Sequence, residues 1–410
     1  METVVKKFGG TSVGSLDRIK HVANILQKFK NSSPQVGLIA VVSAMAGETN
    51  KLLALAHEIS PHPHEREVDS LLSTGEQVTA SLLAMELNAR GIPSRSFVGS
   101  QAKIFTDGDH RQAKITDIDT APLLRSLESG EIPIVTGFQG IDPQGDITTL
   151  GRGGSDISAV ALAAALKSRE CHIYTDVPGV LSTDPRIVPD AKLLKKISHE
   201  EMLELASLGA KVLHPRSVYF AMGYGVPLVV RSTFEEGEGT WIVPEEELME
   251  RPIVSGVTYR TDETKILLRG VTGGSASLER IFTDLAEANV FVDMITQTGT
   301  SEGKTEVSFT VLDEHGKQAV SLVQKIARDL KVQEVVLEPD IAKVSIVGVG
   351  MRYHSGVAAK VFKILSREDI DVQMIATSEI KISVVIARKY CELAVRSLHD
   401  AFTGDVQVEK

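Results

Sequence analysis

The chain has 410 residues and a formal net charge of −10 at pH 7. This acidic balance excludes a general nucleic-acid or anionic-membrane surface, but it allows local pockets that bind small anions. The length predicts two or three domains, and 42% hydrophobic with 24% charged residues is typical of a globular protein.

Neither the first residues nor the cysteines indicate export. The chain starts directly with a strand pattern, and the alanine-rich run Ser158–Leu166 is too short to cross a bilayer. Cys171 and Cys391 lie far apart, which predicts buried thiols in a reducing cytoplasm. No His/Cys spacing is typical of zinc, so the sequence predicts no protein-held metal and a cytoplasmic location.

The first motif, "KKFGGTSVGS" at Lys6–Ser15, follows the apolar run "TVV". Gly9 and Gly10 allow a tight turn between a strand and a helix, where free backbone N–H groups favour anions. Lys7 adds a point charge suited to phosphoryl oxygens. The motif predicts a phosphate-binding turn; a plain tight turn beside a surface lysine is the alternative.

Up to residue 233, Val- and Ile-rich runs alternate with helical patterns. This alternation predicts a mainly parallel sheet between helices, with ligands at the carboxyl ends of the strands. The runs are "VGLIAVVSAM", "EIPIVTGFQGI", "CHIYTDV" and "VPLVVRST", and the helical stretches are Asp17–Phe29, Glu67–Arg90, Ser155–Lys167 and His199–Leu208.

Polar residues follow the second run. Ser43 stands at a strand end and Thr49 comes soon after it. Glu76 lies on an amphipathic helix, where an exposed acid is the reading that the pattern favours. A role for Glu76 in a site is the alternative.

The second strong motif is "GRGGSD", Gly151–Asp156, before a helix of small residues. Arg152 offers a planar fork for a carboxylate. Asp156 either complements the helix dipole or binds an ammonium group. Together, Arg152 and Asp156 can hold both charged ends of an α-amino acid.

A third group follows the strand "CHIYTDV". Thr175 and Asp176 end this strand, and Asp184, Arg186 and Lys211 come later. These groups can hold a nucleotide or its metal ion, whereas His214, before a proline, is read as structural. The motifs together predict two subsites for anionic groups and one for a zwitterion on one parallel sheet. This combination is typical of a small-molecule kinase.

The remaining chain is predicted to be regulatory. Residues 234–252 are highly charged and indicate a linker. Beyond them, "LERIFTDLAEANVFVDMITQT" and "AAKVFKILSREDIDVQMIATS" match at an offset of 80 residues. Each copy predicts a helix followed by a strand, within a βαββαβ unit. Two small α+β domains without a function of their own are the alternative.

These motifs, in order and spacing, resemble those of the aspartate kinases of the amino acid kinase fold, and the repeats resemble that family's paired ferredoxin-like ACT domains. The resemblance covers essentially the whole chain. It implies a catalytic domain at 1–233, a linker at 234–252 and ACT regions at 253–339 and 340–410. It also implies ATP-dependent phosphorylation of the L-aspartate β-carboxylate, the first step toward lysine, threonine, methionine and diaminopimelate.

The resemblance implies a role for each matching residue. Lys7 would stabilise the transferring phosphoryl group, and Asp156 would join it as a catalytic residue. The ATP site would comprise Lys7, Gly9, Gly10, Ser43, Thr175, Asp176, Asp184, Arg186 and Lys211. The aspartate site would comprise Thr49, Glu76, Arg152, Gly153, Gly154, Ser155 and Asp156. Mg²⁺ would arrive with ATP, held mainly by the phosphates.

For regulation, the resemblance implies a homodimer through the ACT domains that binds lysine, threonine or both. The effector site would comprise Phe291, Val292, Asp293, Gln297 and Thr377. Met249 stands where an internal start would yield a shorter ACT-only subunit; an ordinary linker methionine is the alternative. The expected partners are therefore L-aspartate, an amino-acid effector and further copies of the chain, without nucleic acid or membrane.

The sequence departs from the family pattern at a few positions. Pro178 and Leu181 replace an aspartate and a tyrosine beside the nucleotide, and Phe291 stands where many relatives have asparagine. Two rival functions are another kinase of the same fold and an amino-acid sensor with an inactive kinase domain. The paired repeats argue against the first, and the intact Lys7, Arg152 and Asp156 argue against the second.

Overall fold

The structure is a computed structural model that describes residues 1–248, 252–299, 304–330 and 332–403. It divides into two compact units. The first comprises Met1–Leu181, Leu193–Ser207 and residues 211–248; the second comprises Ser182–Lys192, Leu208–Ala210 and the described residues from 252 onward. The predicted α/β architecture is confirmed, since a large parallel-rich sheet is followed by smaller sheets.

An eight-stranded sheet forms the centre of the first unit. Its strands are β1 (Thr3–Phe8), β2 (Gly37–Val42), β3 (Ser94–Phe97), β6 (Ile132–Thr136), β9 (Glu170–Thr175), β10 (Lys196–Ser198), β11 (Leu228–Ser232) and β12 (Thr240–Val243). They lie in the order β10-β12-β11-β9-β1-β2-β6-β3. β1 pairs in parallel with both β2 and β9, so their carboxyl ends meet at one edge.

Seven helices belong to the described part of this unit. They are α1 (Leu16–Ser32), α2 (Glu48–Ile59), α3 (Glu65–Ala89), α4 (Ala121–Glu128), α5 (Gly154–Ala165), α6 (His199–Ser207) and α7 (Pro215–Tyr224). Ser15 caps α1 by accepting a hydrogen bond from the Arg18 backbone N–H. α1 buries the apolar stripe Ile19, Val22 and Leu26, which has helical spacing.

A second, smaller sheet belongs to the same unit. Its strands are β4 (Ile104–Thr106), β5 (Ile115–Ile118), β7 (Gln139–Ile141) and β8 (Ile147–Thr149), in the order β5-β4-β7-β8. β8 runs directly into the predicted substrate motif at Gly151. This sheet therefore positions the segment that leads into the predicted substrate motif.

The second unit contains two four-stranded sheets, each with two helices. One has the order β15-β16-β14-β17 and the other β13-β18-β20-β19. The strands are β13 (Gly256–Arg260), β14 (Glu263–Val271), β15 (Val292–Gly299), β16 (Thr305–Leu312), β17 (Glu334–Glu338), β18 (Ile341–Val347), β19 (Val372–Thr377) and β20 (Lys381–Ala387). The helices are α8 (Ser275–Glu287), α9 (Asp313–Asp329), α10 (Val357–Arg367) and α11 (Cys391–Thr403). In the described part of the chain, short 3₁₀ helices span Val349–Tyr353 and Arg388–Tyr390 in this unit and Glu245–Glu247 in the first unit.

The internal repeat has matching structure in its two copies. Leu285 and Leu365 are buried at equivalent positions, as are Met294 and Met374. Asn289 and Asp369 both have positive φ values, 55° and 54°, at the turn between helix and strand. Residues that are 80 positions apart therefore share the same backbone conformation at this turn.

Two strands cross the domain boundaries predicted from the sequence. β13 lies in the region predicted as the first repeat, but it pairs with β18 of the second, covering an edge that would otherwise be free. β12 lies inside the predicted linker, where the short apolar run "TWIV" pairs with β11.

Met249 lies outside the described residues. No helix in the described part of the chain is long and apolar enough to cross a membrane.

Ser182–Lys192 also departs from expectation, because this segment of the predicted nucleotide loop packs within the second unit. Ile187 and Val188 join the apolar core of the second repeat. The Arg396 Nε donates to the Ile187 carbonyl at 3.0 Å, and Lys192 Nζ donates to the Thr403 carbonyl at 2.6 Å.

Candidate active site

The adjacent lysines of β1 point to opposite faces of the sheet. Lys6 packs on the α1 side, with its Nζ 4.0 Å from the centre of the Phe29 ring. Burial is the main cause that lowers the pKa of Lys6 to about 7, with a further contribution from Arg231. Lys7 points to the other face, toward α5, as the alternation of a strand requires.

Lys7 forms a largely buried ion pair with Asp156. The Lys7 Nζ lies 2.6 Å from Asp156 Oδ1, and both side chains are about one-tenth exposed. Asp156 lies in the first turn of α5, where the helix dipole favours a negative charge. The structure therefore joins the two residues that the sequence predicts to be catalytic, from motifs about 150 residues apart.

The glycine turn after β1 lies against the end of β2. The Gly9 N–H donates to the Tyr174 carbonyl at 3.2 Å, and the Ala46 N–H donates to the Gly10 carbonyl at 3.1 Å. A Cβ at Gly10 would lie only 2.9 Å from the Ala44 carbonyl oxygen. Glycine is therefore required at position 10, because the two backbones approach too closely for a side chain.

Glu76 is buried rather than exposed, which contradicts the reading that the amphipathic pattern favoured. Its Oε1 accepts a hydrogen bond from the Ala44 N–H at 2.9 Å, at the end of β2. Its Oε2 is buried and has no hydrogen-bond partner in the described part of the chain. Burial raises the pKa of Glu76 to about 7, while the Ala44 hydrogen bond opposes this rise. Such a carboxylate is suited to accept a ligand's ammonium group.

The substrate motif divides into an exposed and a buried part. Arg152 is exposed and forms no ion pair with another described residue, so its guanidinium is available to a ligand. Gly154, Ser155 and Asp156 are buried at the start of α5. Gly153 precedes them in a left-handed conformation with φ of 73°. Arg152 and Asp156 thus stand on either side of the helix N-terminus.

Phe138 is part of this region, although sequence reasoning did not find it. Its φ is 71°, which is uncommon for a residue with a large side chain. The Ser158 hydroxyl accepts from the Phe138 N–H at 3.0 Å, and the Phe138 carbonyl accepts from Leu150 N–H at 2.9 Å. No sequence signal indicates positive φ at a phenylalanine, because glycine and asparagine are its usual carriers.

Thr49, Ser43 and the predicted nucleotide residues lie on nearby elements. Ser43 directly follows β2, and its N–H donates to the Phe8 carbonyl at 3.1 Å. Thr49 lies in the first turn of α2. Thr175 ends β9, next to β1, and its hydroxyl donates to the Asp176 carboxylate at 3.1 Å.

Lys211 lies in the turn before α7, and His214 directly precedes the helix. Lys211 is exposed. His214 caps α7, where its Nδ1 accepts from the Arg216 N–H at 3.3 Å, in agreement with a structural role. Among the described residues, no group of three or more His, Cys, Asp or Glu side chains is arranged to hold a metal ion.

Asp184 and Arg186 belong to the second unit. Arg186 Nη2 lies 2.6 Å from Asp184 Oδ2, and the Tyr259 hydroxyl donates to the same carboxylate at 3.0 Å. The hydrogen bond from Arg186 is the main cause that lowers the pKa of Asp184. Their described contacts thus lie within the second unit.

Two family models match the chain. The amino acid kinase family matches residues 2–232, and the ACT domain matches residues 344–402. A relative from Stutzerimonas stutzeri, named aspartate kinase Ask_LysC, is 52% identical over 406 residues, which cover 99% of this chain and 98% of the relative. The chain belongs to the aspartate kinase family.

Solved structures agree with this assignment. E. coli aspartokinase III in complex with aspartate and ADP matches with a TM-score of 0.81 and 29% identity, covering 98% of this chain and 100% of the other. The same enzyme with lysine and aspartate matches with a TM-score of 0.76 and 28% identity, over 98% and 100% of the two chains. The fold and the enzyme class predicted from the sequence are confirmed: this is an aspartate kinase with a C-terminal ACT region.

The predicted effector residues of this aspartate kinase lie on two edge strands. Phe291 directly precedes β15, and Val292 is its first residue. Asp293 and Gln297 also lie on β15, while Thr377 is the last residue of β19. Phe291 is 73% exposed. Asp293 forms an ion pair with the buried ammonium of Lys343, which also lies 2.6 Å from Glu263 Oε1.

Proposed function

We propose that this aspartate kinase transfers the γ-phosphoryl group of ATP to the β-carboxylate of L-aspartate, with Lys7 and Asp156 at the centre of the site. The ion pair between these residues, at the carboxyl end of β1, is the observation that carries the proposal. It places a cation where a phosphoryl group and a carboxylate would meet, next to a glycine turn that can approach phosphates.

The transfer needs no proton movement by the protein. The β-carboxylate is already ionised at pH 7, so an oxygen of it attacks the γ-phosphorus directly. The new bond joins this oxygen to phosphorus, while the bond from the γ-phosphorus to the bridging oxygen breaks and ADP leaves. Lys7 stabilises the negative charge on the phosphoryl oxygens during this step.

Selection of the amino acid is assigned to groups at the start of α5 and on α3. Arg152 binds the α-carboxylate as a planar fork, and Asp156 with Glu76 holds the α-ammonium. The free, buried Oε2 of Glu76 supports this assignment. Thr49 and Ser155 donate hydrogen bonds, and Gly153 with Gly154 leaves room for the substrate.

The nucleotide is assigned to the turn after β1 and to the end of β9. Gly9, Gly10 and Ser43 lie beside the phosphates, while Thr175, Asp176 and Lys211 line the rest of the site. Asp184 and Arg186 are included by resemblance alone, and Pro178 and Leu181 replace the usual neighbours. Mg²⁺ enters with ATP and is held mainly by phosphate oxygens, as is usual for this ion.

Glu76 gives the KM for aspartate a pH dependence. Its pKa is raised to about 7, so protonation below that value removes the charge that attracts the α-ammonium. A group with this pKa is about a tenth ionised at pH 6, so we expect KM for aspartate to be about tenfold higher at pH 6 than at pH 8. The measurement is initial rates against aspartate concentration across this range. Glu76→Gln should raise KM and remove its dependence on pH; an unchanged pH profile in this variant would contradict the role.

The activity is tested by coupled ADP release with MgATP and a panel of acceptors. We expect release with L-aspartate and much less with L-glutamate, N-acetyl-L-glutamate or a nucleoside monophosphate. Preference for one of these other acceptors would indicate a different kinase of the same fold. No release with any acceptor, together with intact amino-acid binding, would indicate a sensor.

Regulation is assigned to a homodimer formed through the ACT domains, with lysine or threonine as the effector. The solved E. coli enzyme with lysine and aspartate supports an amino-acid effector. β15 and β19 are edge strands that present the predicted effector residues. An effector of this kind must bind the inactive state more tightly, so aspartate or ATP should weaken its binding reciprocally. A shorter ACT-only product and a cytoplasmic location stay predictions.

Asp293→Ala is expected to relieve inhibition by the effector without changing the uninhibited rate. Asp293 is half exposed and lies outside the catalytic unit, and Lys343 keeps Glu263 as a second partner. The measurement is activity against lysine, threonine and their mixture, with Asp284→Ala on α8 as a control. Inhibition that is equally strong in Asp293→Ala and the native enzyme would remove Asp293 from the effector site.

A further inference from the structure

We propose that Asp69 is a positioning residue for aspartate binding, because it fixes the segment that carries Arg152. Asp69 lies on α3, seven residues before Glu76, so both side chains lie on one face of the helix. It is completely buried. This inference rests on the proposed role of Arg152 in binding the α-carboxylate.

The Asp69 carboxylate accepts four hydrogen bonds from two segments. Its Oδ2 accepts from His110 Nδ1 at 2.9 Å and from the backbone N–H groups of Arg111 and Thr149, both at 3.0 Å. Its Oδ1 accepts from the Thr149 hydroxyl at 2.6 Å. A buried carboxylate with this many donors holds its partners in one arrangement, since each lost bond would leave a buried polar group unpaired.

The two segments meet directly before Arg152. Thr149 ends β8, and Gly151 follows with φ of 74°. A Cβ at Gly151 would lie 2.9 Å from the Arg111 carbonyl oxygen. Arg111 itself has φ of 70°, a conformation that its hydrogen bond to Asp69 helps to hold. Asp69 therefore determines the backbone path from which the Arg152 side chain extends.

A second anchor holds the same segments from the other side. Arg216 on α7 donates to the Leu150 carbonyl at 2.6 Å and to the Ala113 carbonyl at 3.3 Å. The Leu150 N–H donates to the Phe138 carbonyl. The segment before Arg152 is thus fixed on both sides, which is the support that a carboxylate-binding arginine needs for its geometry.

The test compares steady-state kinetics of Asp69→Ala, Asp69→Asn and the matched control Asp146→Ala. Asp146 stands at the start of β8 and also contacts α3, through Arg66 at 2.6 Å, so it controls for loss of a contact between the same elements. We expect Asp69→Ala to raise KM for aspartate on the order of tenfold, with KM for ATP unchanged. Asp146→Ala should leave both values unchanged.

Asp69→Asn should restore part of the affinity for aspartate that Asp69→Ala loses. Its amide oxygen can accept two of the three N–H donors, while its NH₂ group donates to the Thr149 hydroxyl. If Asp69→Ala does not fold, Thr149→Val removes one hydrogen bond alone and should raise KM for aspartate to a smaller extent. A purely structural role would change both KM values or the melting temperature without this selectivity.

A double mutant separates positioning from general damage. If Asp69 acts through Arg152, adding Asp69→Ala to Arg152→Ala should raise KM for aspartate no further. The inference would be overturned if the increases in KM for aspartate of the two single mutants multiply in the double mutant. It would also be overturned if Asp69→Ala and Thr149→Val both keep the native KM for aspartate. Failure of the proposed function gives a different result, because the native enzyme would then release no ADP with aspartate.

Discussion

Lys7→Ala is expected to lower kcat by about two orders of magnitude or more, with modest changes in KM. Charge develops on the phosphoryl oxygens during transfer, and Lys7 lies in a largely buried position where a fixed cation has its greatest effect. Its contribution is therefore larger in the transition state than in the complex with substrates. Steady-state kinetics with saturating ATP and aspartate measure this effect.

Lys28→Ala provides the matched control. Lys28 lies on α1 of the same unit and is exposed, and it pairs with Glu236 at 2.7 Å. Exposed pairs of this kind contribute little, so the variant should retain native kcat. The melting temperature of Lys7→Ala shows whether the variant is folded. A folded Lys7→Ala enzyme with near-native kcat would remove Lys7 from the mechanism.

Arg152→Ala is expected to raise KM for aspartate about 10- to 100-fold, the range for loss of a charge-assisted hydrogen bond. The exposed guanidinium has no recorded ion pair in the described part of the chain, so its removal leaves no buried group without a partner. Binding of ATP should stay nearly intact, because the nucleotide is assigned to the turn after β1. Separate calorimetric titrations with aspartate and with an ATP analogue measure the two affinities.

Arg169→Ala controls for loss of a positive charge from the same unit. Arg169 lies just before β9, at the amino end of the strand, and pairs with Glu170 at 2.9 Å. It should bind both ligands as the native enzyme does. Loss of ATP binding in Arg152→Ala, with aspartate binding retained, would mean that the two subsites are assigned the wrong way round.

Much of the site could be predicted because it lies at strand ends. Parallel strands bring their carboxyl ends to one edge, so Lys7 near the end of β1 and Ser43 after β2 were expected to be neighbours. The glycine turn was visible because close backbone approach requires glycine, and Gly10 against Ala44 is such an approach. The repeat was visible because its buried positions recur at a constant offset.

Other features depend on tertiary packing and carry no local signal. Glu76 has the sequence pattern of an exposed helical acid, yet it is buried and accepts a hydrogen bond from the Ala44 N–H. Asp69 and Phe138 form hydrogen bonds to residues far away in the sequence, which spacing along the chain does not reveal. β13 pairs with β18, although the whole first repeat lies between them in the sequence. This pairing covers a free sheet edge, which the order of elements in the sequence does not indicate.

Trapping the product shows whether the β-carboxylate of aspartate receives the phosphoryl group. The enzyme is incubated with MgATP, L-aspartate and hydroxylamine, which converts an acyl phosphate into a hydroxamate, and mass spectrometry with NMR locates the modified carboxyl. We predict aspartate β-hydroxamate in an amount that matches the ADP released, and almost none with Lys7→Ala. ADP release without hydroxamate, or a hydroxamate formed from another acid in preference to aspartate, would contradict the account.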